Sequence, residues 1–230
     1  MRIAVLGANG PTGRHLVDQA LAGGHEVVAV TRRPGTPTPR PGLAVAVADA
    51  TDQAAVEAAI DGADAVLSTV GTTFGKETVT TYSASAAAVT AAMARRGVER
   101  LLAVSSNVMD PHWRPTGAHF FNHVLDPLVN RRLGRTLHAD MRRMEDVIRG
   151  TDLDWTLVRP SGLFDHPVVT GYLTSETSAD GVFTARADLA AAMLRELEEG
   201  RYVRTAMGVV TTAVKPNVVK LIWNEGVKKK

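Results

Sequence analysis

The apolar positions in the first half of the chain form short runs that alternate with longer amphipathic stretches. Short runs rich in β-branched residues are typical of buried parallel strands. Between them, apolar residues recur at helical spacing, as at Leu16, Val17, Ala20 and Leu21. The pattern predicts strands at residues 3–6, 26–31, 43–48, 65–70 and 101–105, and helices at residues 13–22, 52–60 and 82–96.

The second half of the chain is less regular. Residues 120–149 are predicted to be largely helical, with interruptions near Pro127 and Gly134. Strands are expected at 155–158 and 204–212, a loop with room for a short hairpin at 159–174, and a helix at 187–199 capped by Asp188 or a near neighbour. Alternating strands and helices with short connections predict an α/β fold with a doubly wound parallel sheet.

Composition sets broad limits on this fold. The 230 residues favour one domain covering 1–230, with a small C-terminal substrate lobe at 107–138 and 160–186. The absence of cysteine excludes disulfides and thiolate chemistry and suits a cytoplasmic protein. The net charge of +2 and the short apolar runs predict neither a nucleic-acid partner nor a membrane partner. No ligand set for a metal is evident, so no metal is expected. The chain is expected to be a monomer or homodimer.

A glycine-rich loop follows the first strand and opens the first helix. Its glycines have the spacing Gly7-x-x-Gly10-x-x-Gly13, and the full loop runs through Ala8, Asn9, Pro11 and Thr12. Gly7 permits a tight turn, Gly10 lets a pyrophosphate approach the backbone, and Gly13 lets the helix pack closely. Thr12 can add a hydroxyl to a phosphate oxygen. A strand before the loop and a helix after it make a Rossmann-type dinucleotide site the leading interpretation, with a plain tight turn as the alternative.

The end of the second strand indicates which dinucleotide binds. NAD sites usually have an acid there, which accepts from the ribose 2′-hydroxyl. This chain has Thr31-Arg32-Arg33 instead. Guanidinium groups match the shape and charge of phosphate, so Arg32 and Arg33 favour NADP(H). The alternative is that both arginines belong to a solvated turn.

Other strand ends carry further candidates, because ligands bind at the carboxyl ends of parallel strands. Asp49 is a candidate acceptor for the adenine amino group, with Ala50 against the ring; its alternative is to cap the next helix, where Asp52 fits as well. The fourth strand ends in Val70-Gly71-Thr72, which is expected to pass close to the cofactor ribose. The fifth strand ends in Ser105-Ser106, and Ser106 is expected to face the nicotinamide. The alternative is that Ser106 only makes hydrogen bonds within its own loop.

Several segments together resemble the atypical short-chain dehydrogenase/reductases, in the NAD(P)H-binding branch of NmrA-like proteins and flavin (biliverdin-IXβ) reductases. The resemblance extends from residue 1 to about residue 210. It rests on the glycine loop, Thr31-Arg32-Arg33, Val47-Ala48-Asp49-Ala50-Thr51-Asp52, Gly97-Val98-Glu99-Arg100, Val104-Ser105-Ser106, Asp154-Trp155-Thr156-Leu157-Val158-Arg159-Pro160 and Asp188-Leu189-Ala190. It implies cofactor contacts at Gly7, Gly10, Thr12, Gly13, Arg32, Asp49, Gly71, Ser105 and Ser106, and a Pro160-Ser161 backbone near the nicotinamide.

One departure from that family bears on the chemistry. The main branch of the superfamily uses a Tyr-x-x-x-Lys pair, and no tyrosine here has a lysine four residues on. Alignment on Glu145 and Arg159-Pro160 puts the tyrosine position near Leu137 and the lysine position near Met141, to within one residue. Ordinary carbonyl reduction by a tyrosine acid is therefore not expected.

Two residues remain as candidates for the chemistry. Ser106 is the first, as a hydrogen-bond donor to the acceptor oxygen. His138 is the second, because an imidazole with an unperturbed pKa of roughly 6.5 suits proton delivery; the alternative is that it is a packing residue.

These residues predict an NADPH-dependent oxidoreductase that transfers hydride to a small cyclic or aromatic acceptor of flavin, quinone, enone or ketone type. Two alternatives stay open. One is an NADP(H)-binding redox sensor without turnover, and the other is a non-redox isomerase or cyclase on the same scaffold.

Overall fold

The computed structural model describes residues 1–34, 36–72, 78–118 and 134–216. The strands are β1 (Arg2–Leu6), β2 (Glu26–Thr31), β3 (Leu43–Val47), β4 (Ala65–Ser68), β5 (Arg100–Val104), β6 (Asp154–Pro160), β7 (Gly162–Phe164), β8 (Tyr172–Glu176), β9 (Phe183–Ala185) and β10 (Thr205–Thr211). The helices are α1 (Pro11–Ala22), α2 (Gln53–Ala59), α3 (Thr81–Arg96), α4 (Arg135–Arg149) and α5 (Arg186–Glu199), with a 3-10 turn at Asn107–Met109.

An eight-stranded sheet has the order β3-β2-β1-β4-β5-β6-β10-β8. Its neighbouring strands are parallel except for the antiparallel pair β10–β8. The chain moves outward from β1 to β3 and then returns to place β4 on the other side of β1. This reversal opens a crevice between the ends of β1 and β4, where doubly wound sheets bind ligands. The predicted α/β Rossmann-type fold is confirmed.

Both faces of the sheet are covered by helices, and alternate residues of β1 face opposite layers. Ala4 and Leu6 belong to the core shared with α2, α3 and α4. Ile3 and Val5 belong to the core shared with α1 and α5. All four side chains are fully buried. The continuous apolar run in the sequence therefore reflects burial on both sides, as expected for a parallel sheet.

The predicted strands are all present, and the predicted helices shift by one or two residues at their ends. The helix expected at 120–149 is described from Arg135 onward, and residues 119–133 of that prediction and of the substrate lobe lie outside the described part of the chain. Across the described ranges, no helix is long and apolar enough to cross a bilayer.

The cap predicted for α5 is wrong. Ala185 occupies the N-cap position and makes no side-chain cap. Asp188 is fully buried and accepts hydrogen bonds from the backbone N–H of Thr170 at 2.6 Å and from the hydroxyls of Thr170 and Thr211. The carboxylate therefore joins the loop before β8 to β10 instead of capping its own helix.

The hairpin expected in residues 159–174 is also wrong. The strands in this region are β7, which pairs in parallel with β9, and β8, which pairs with β10. Each partner lies far along the chain. Local turn residues favour a hairpin, but β7 and β8 each pair with a later strand and not with each other.

A buried ion pair joins α4 to the ends of β5 and β6. Arg159 donates to Glu145 through Nε at 3.0 Å and through Nη2 at 2.6 Å, and both side chains are less than a tenth exposed. The hydroxyl of Ser105, directly after β5, donates to Glu145 Oε1 at 2.6 Å. Arg159 Nη1 donates to the carbonyl of Thr177 at 3.3 Å. The pair therefore connects α4, the end of β5, β6 and the loop that contains Thr177.

We predict that Glu145→Gln lowers the free energy of unfolding by about 3–5 kcal/mol, because it leaves a buried guanidinium without its counter-charge. Urea denaturation followed by circular dichroism measures this loss. Glu199→Gln is the matched control, since Glu199 is paired with the exposed Arg195 and water screens that pair. The control is expected to unfold like the unaltered protein, and coincident curves for the two variants would contradict the prediction.

Candidate functional site

The glycine loop between β1 and α1 is fixed by close backbone contacts. Gly7 has φ +76°, and a Cβ there would lie 2.9 Å from the backbone of Thr69. A Cβ on Gly13 would lie 2.2 Å from the carbonyl oxygen of Gly7. The turn is closed by the N–H of Gly10, which donates to that same oxygen at 2.8 Å. Gly7 is therefore required by its positive φ and by the neighbouring backbone after β4, and Gly13 is required by the turn of the loop itself.

Gly10 and the first turn of α1 fit a phosphate group. Gly10 is the N-cap and supplies no capping side chain, Pro11 follows at the first helical position, and the first turn contains no acid. The amides at the start of a helix lack intrahelical acceptors and carry a positive partial charge. Thr12, the other predicted phosphate ligand, is largely buried beside them. Backbone N–H groups without a side-chain cap are what a pyrophosphate needs.

Asn9 connects this loop to the end of β2. Its side-chain amide donates to Thr31 Oγ1 at 2.7 Å and to the carbonyl of Thr36 at 2.9 Å. Thr31 Oγ1 also accepts from the backbone N–H of Arg33 at 3.2 Å. Arg32 and Arg33 are exposed, and neither pairs with an acid among the described residues. The turn predicted to recognise a 2′-phosphate is thus held against the glycine loop.

Asp49 and Asp52 differ in the two roles that the sequence left open, which are to accept a hydrogen bond from the adenine and to cap α2. Asp52 caps α2 by accepting from the backbone N–H groups of Ala54 and Ala55. Asp49 accepts from the backbone N–H of Thr51 at 2.9 Å and from its hydroxyl at 2.8 Å. These hydrogen bonds, with a smaller effect of Arg32, lower the pKa of the Asp49 carboxyl. Asp49 is therefore an ionised acceptor and not a helix cap, while Ala50 packs partly against the core.

The end of β4 lies next to the end of β1. Thr69, directly after β4, donates through its hydroxyl to the carbonyl of Leu6 at 3.0 Å. Val70 packs against the core, and Gly71 and Thr72 follow it, exposed. The predicted ribose-facing segment is therefore adjacent to the glycine loop.

Tyr82 is a residue at this edge that the sequence did not single out. Its hydroxyl accepts from the backbone N–H of Thr72 at 3.4 Å. Burial raises the pKa of the Tyr82 phenol above its ordinary value. Tyr82 lies on α3, far along the chain from β4, and it is not followed by a lysine four residues on, so no local motif marks its approach to β4.

Asp140 holds the start of α3 in place from α4. It is fully buried and accepts from the backbone N–H groups of Tyr82 at 2.8 Å and Ser83 at 3.3 Å, and from the Ser83 hydroxyl. Thr80, the N-cap of α3, makes no side-chain cap. A carboxylate from another helix therefore performs the capping, which no local sequence pattern could predict.

The two serines after β5 have different surroundings. The Ser105 hydroxyl donates to Glu145, so its side chain belongs to the buried ion pair and only its backbone remains for a cofactor contact. Ser106 is half-buried, and its hydroxyl oxygen accepts from the backbone N–H of Val108 at 3.3 Å. The hydroxyl proton of Ser106 is not used in that bond. Ser106 therefore retains a donor at the carboxyl end of the sheet.

Asn107 connects the end of β5 to the end of β6. Its amide donates to Ser161 Oγ at 2.9 Å, and Ser161 Oγ donates to the carbonyl of Gly181 at 2.7 Å. The backbone N–H of Ser161 donates to Thr184 Oγ1, while Pro160 is buried as the last residue of β6. Asn107 Oδ1 is buried and has no hydrogen-bond partner within the described ranges. The predicted contact at Pro160 and Ser161 stays a prediction, on a backbone that this network fixes.

The helix α4 carries the positions predicted to replace the tyrosine and lysine. Leu137 and Met141 are buried members of the core beside α3. His138 is also buried, and it lies on the same helix. The burial of His138 is compatible with packing and with a place at the inner wall of the site, so its catalytic role stays a prediction. In the parts of the chain that the structure describes, no three potential metal ligands form a cluster.

Comparisons with known proteins agree with this geometry. The family model described as NAD(P)H-binding matches residues 7–200. An uncharacterized protein of Mycobacterium tuberculosis is 47% identical over 66 residues, which cover 29% of this chain and 8% of that protein. The chain therefore spans only a small part of the length of such curated relatives.

Solved structures share the fold across nearly the whole chain. A short-chain dehydrogenase/reductase (wide type) from Veillonella parvula, solved with NADP, has a TM-score of 0.76 at 20% identity and covers 94% of this chain and 98% of its own. The anaerobillin reductase ChuY from Escherichia coli O157:H7 has a TM-score of 0.73 at 22% identity, covering 94% and 100%. The predicted resemblance to an NAD(P)H-binding branch is confirmed by the family model, and the solved structures share its fold. With its glycine loop, uncapped helix start and matching family model, the chain belongs to the NAD(P)H-binding family.

Proposed function

We propose that the protein is an NADPH-dependent oxidoreductase that reduces a small cyclic or aromatic acceptor. The observation that carries this proposal is the union of an uncapped helix start with an exposed arginine turn. Asn9 connects the two through its hydrogen bonds to Thr31 and Thr36. The neighbour solved with NADP and the neighbour named as a reductase support the same assignment.

The cofactor half of the site follows from the backbone. The first-turn amides of α1 would bind the pyrophosphate, and Gly10 leaves room for it to approach. Arg32, with Arg33 beside it, would bind the 2′-phosphate through charge-assisted hydrogen bonds. Asp49 would accept from the adenine amino group, because its carboxylate is ionised and only partly engaged by Thr51. When bound, NADPH supplies the hydride.

The substrate half follows from the ends of β5 and β6. The Ser106 hydroxyl would donate to the acceptor oxygen while its own oxygen is held by the N–H of Val108. His138 is the second candidate for proton delivery. Leu137 and Met141 make the inner wall of α4 apolar where related enzymes carry tyrosine and lysine. Acceptors that take hydride without a strong acid, such as flavins, quinones and enones, suit this arrangement.

A second candidate is an NADP(H)-binding regulatory protein without turnover. The apolar Leu137 and Met141 favour it, because they remove the acid and the lysine of the main superfamily. Oxidation of NADPH in the presence of acceptors separates the two functions. A protein that binds NADPH tightly but never oxidises it would support the regulatory function.

We predict that Arg32→Ala weakens NADPH binding by roughly tenfold or more, because a charge-assisted hydrogen bond contributes about 1.5–3 kcal/mol. NADH binding is expected to stay nearly constant, since it has no 2′-phosphate. Isothermal titration calorimetry of each cofactor with each protein measures both affinities.

Arg95→Ala is the matched control for Arg32→Ala. Arg95 is exposed at the C-terminal end of α3, and the change removes the same charge far from the glycine loop. It is expected to leave both affinities unchanged. Equal losses of NADPH and NADH affinity in Arg32→Ala would refute the 2′-phosphate assignment, and no binding of either cofactor to the unaltered protein would refute the oxidoreductase.

We predict that Ser106→Ala lowers kcat by about a hundredfold while the Kd for NADPH stays constant, because one preorganised donor to the developing oxyanion is lost. Stopped-flow oxidation of NADPH with a flavin, a quinone and an enone measures kcat.

Ser106→Thr is the companion variant, because it keeps a hydroxyl at the same position and should retain more activity than alanine. Equal rates for the serine, threonine and alanine proteins would remove Ser106 from the mechanism. A parallel loss of NADPH affinity would instead assign Ser106 to cofactor binding.

A further inference from the structure

Three exposed arginines lie around the junction of the glycine loop and the end of β2. Arg32 and Arg33 follow β2, and Arg14 lies in the first turns of α1. None of the three pairs with an acid within the described residues. The sequence motifs do not assign a role to Arg14, and its charge has no acidic partner among the described residues.

Arg14 is hydrogen-bonded to the glycine loop that forms this junction. Its Nε donates to the carbonyl oxygen of Asn9 at 3.0 Å. The side chain of the same Asn9 donates to Thr31 and Thr36, on either side of the arginine turn. Asn9 therefore holds Arg14 with its backbone and the turn with its side chain. The bond uses Nε, which leaves both Nη groups of Arg14 as donors.

An acid was within reach of Arg14 along its own helix and is not used. Asp18 lies four residues on, the spacing at which helical side chains meet. Asp18 forms its ion pair with Arg40 instead. A helical ion pair therefore does not explain the position of Arg14.

The helix macrodipole makes this position unfavourable for a cation. The start of α1 carries positive partial charge, and its first turn holds no acid to offset it. Arg14 adds a full positive charge at that end. A bound anion reverses the sign of this interaction, so the arrangement suits a site that holds negative charge.

The negative charge of a 2′-phosphate also exceeds the positive charge that Arg32 alone supplies. Asp49 is close enough to Arg32 for the two charges to interact. A 2′-phosphate brings close to two negative charges at neutral pH. Arg32 and Arg33 beside the Asp49 carboxylate still leave that group undercompensated, and Arg14 restores the balance.

We propose that Arg14 and Arg32 bind the 2′-phosphate of NADPH together, with Arg14 donating from its Nη groups and Asn9 positioning both arginines. This inference rests on the proposed NADPH-dependent function and deepens it, because it assigns the nucleotide specificity to two segments of the chain rather than one. The pyrophosphate remains with the amides of α1.

The test is calorimetric titration of Arg14→Gln with two pairs of ligands that differ only in the 2′-phosphate. The pairs are NADPH with NADH, and 2′,5′-ADP with 5′-AMP. We expect the Kd values for NADPH and 2′,5′-ADP to rise roughly tenfold or more, while those for NADH and 5′-AMP change less than about twofold. Arg95→Gln is the matched control, with the same loss of charge far from the loop.

The outcomes separate this inference from the proposed function. Equal losses in both members of each pair would mean that Arg14 serves the pyrophosphate or the loop fold, and would overturn the inference. Unchanged affinities would overturn it as well. In both cases the proposed function would still hold if the protein prefers NADPH to NADH and Arg32→Ala removes that preference. Failure of the unaltered protein to bind NADPH would overturn the function and the inference together.

Discussion

The buried pair of Glu145 and Arg159 is the interaction on which the substrate side of the molecule depends. Both charges are removed from water, and each is stabilised mainly by the other in a bidentate geometry. Ser105, the carbonyl of Thr177 and the more exposed Arg149, which lies 3.5 Å from Glu145 Oε2, complete the set. The strand ends that carry Ser106 and Pro160 are therefore fixed relative to α4. A site formed from three separate elements keeps its shape because moving any one of them would expose an unpaired charge to the apolar core.

The two halves of the candidate site are built by different kinds of constraint. The cofactor half is mainly local: the positive φ of Gly7 favours glycine, a Cβ on Gly13 would clash with the backbone of Gly7 and Ala8, and an uncapped helix follows at once. The substrate half depends on side chains brought from distant positions, such as Glu145 of α4 at Ser105 and Arg159. Local constraints leave patterns in a sequence, and long-range hydrogen bonds do not. The family membership was accordingly predictable, whereas the substrate side was not.

Particular residues show where prediction from the sequence succeeded and where it failed. The strands of the large sheet were predicted, except β8, because burial on both faces produces continuous apolar runs. The strands β7 and β9 escaped prediction, since each has three residues and its partner is distant. Asp188 was expected to cap α5 because acids favour helix starts, yet its carboxylate lies buried against Thr170 and Thr211. An acid near a helix start is locally ambiguous, and only the tertiary partners resolve it.

The supply of a proton limits which acceptors such a site could reduce. Tyr82 brings a phenol to the end of β4, but burial raises its pKa, so it remains neutral and is a poor acid near neutral pH. Leu137 and Met141 contribute no proton. The hydroxyl of Ser106 can donate a hydrogen bond but cannot readily give up its proton, so His138 stays the candidate for proton delivery. Such a site gives an oxyanion one hydrogen bond from Ser106 and no strong acid. Acceptors that delocalise the charge left by hydride need the least additional help, which favours flavins, quinones and enones over isolated ketones.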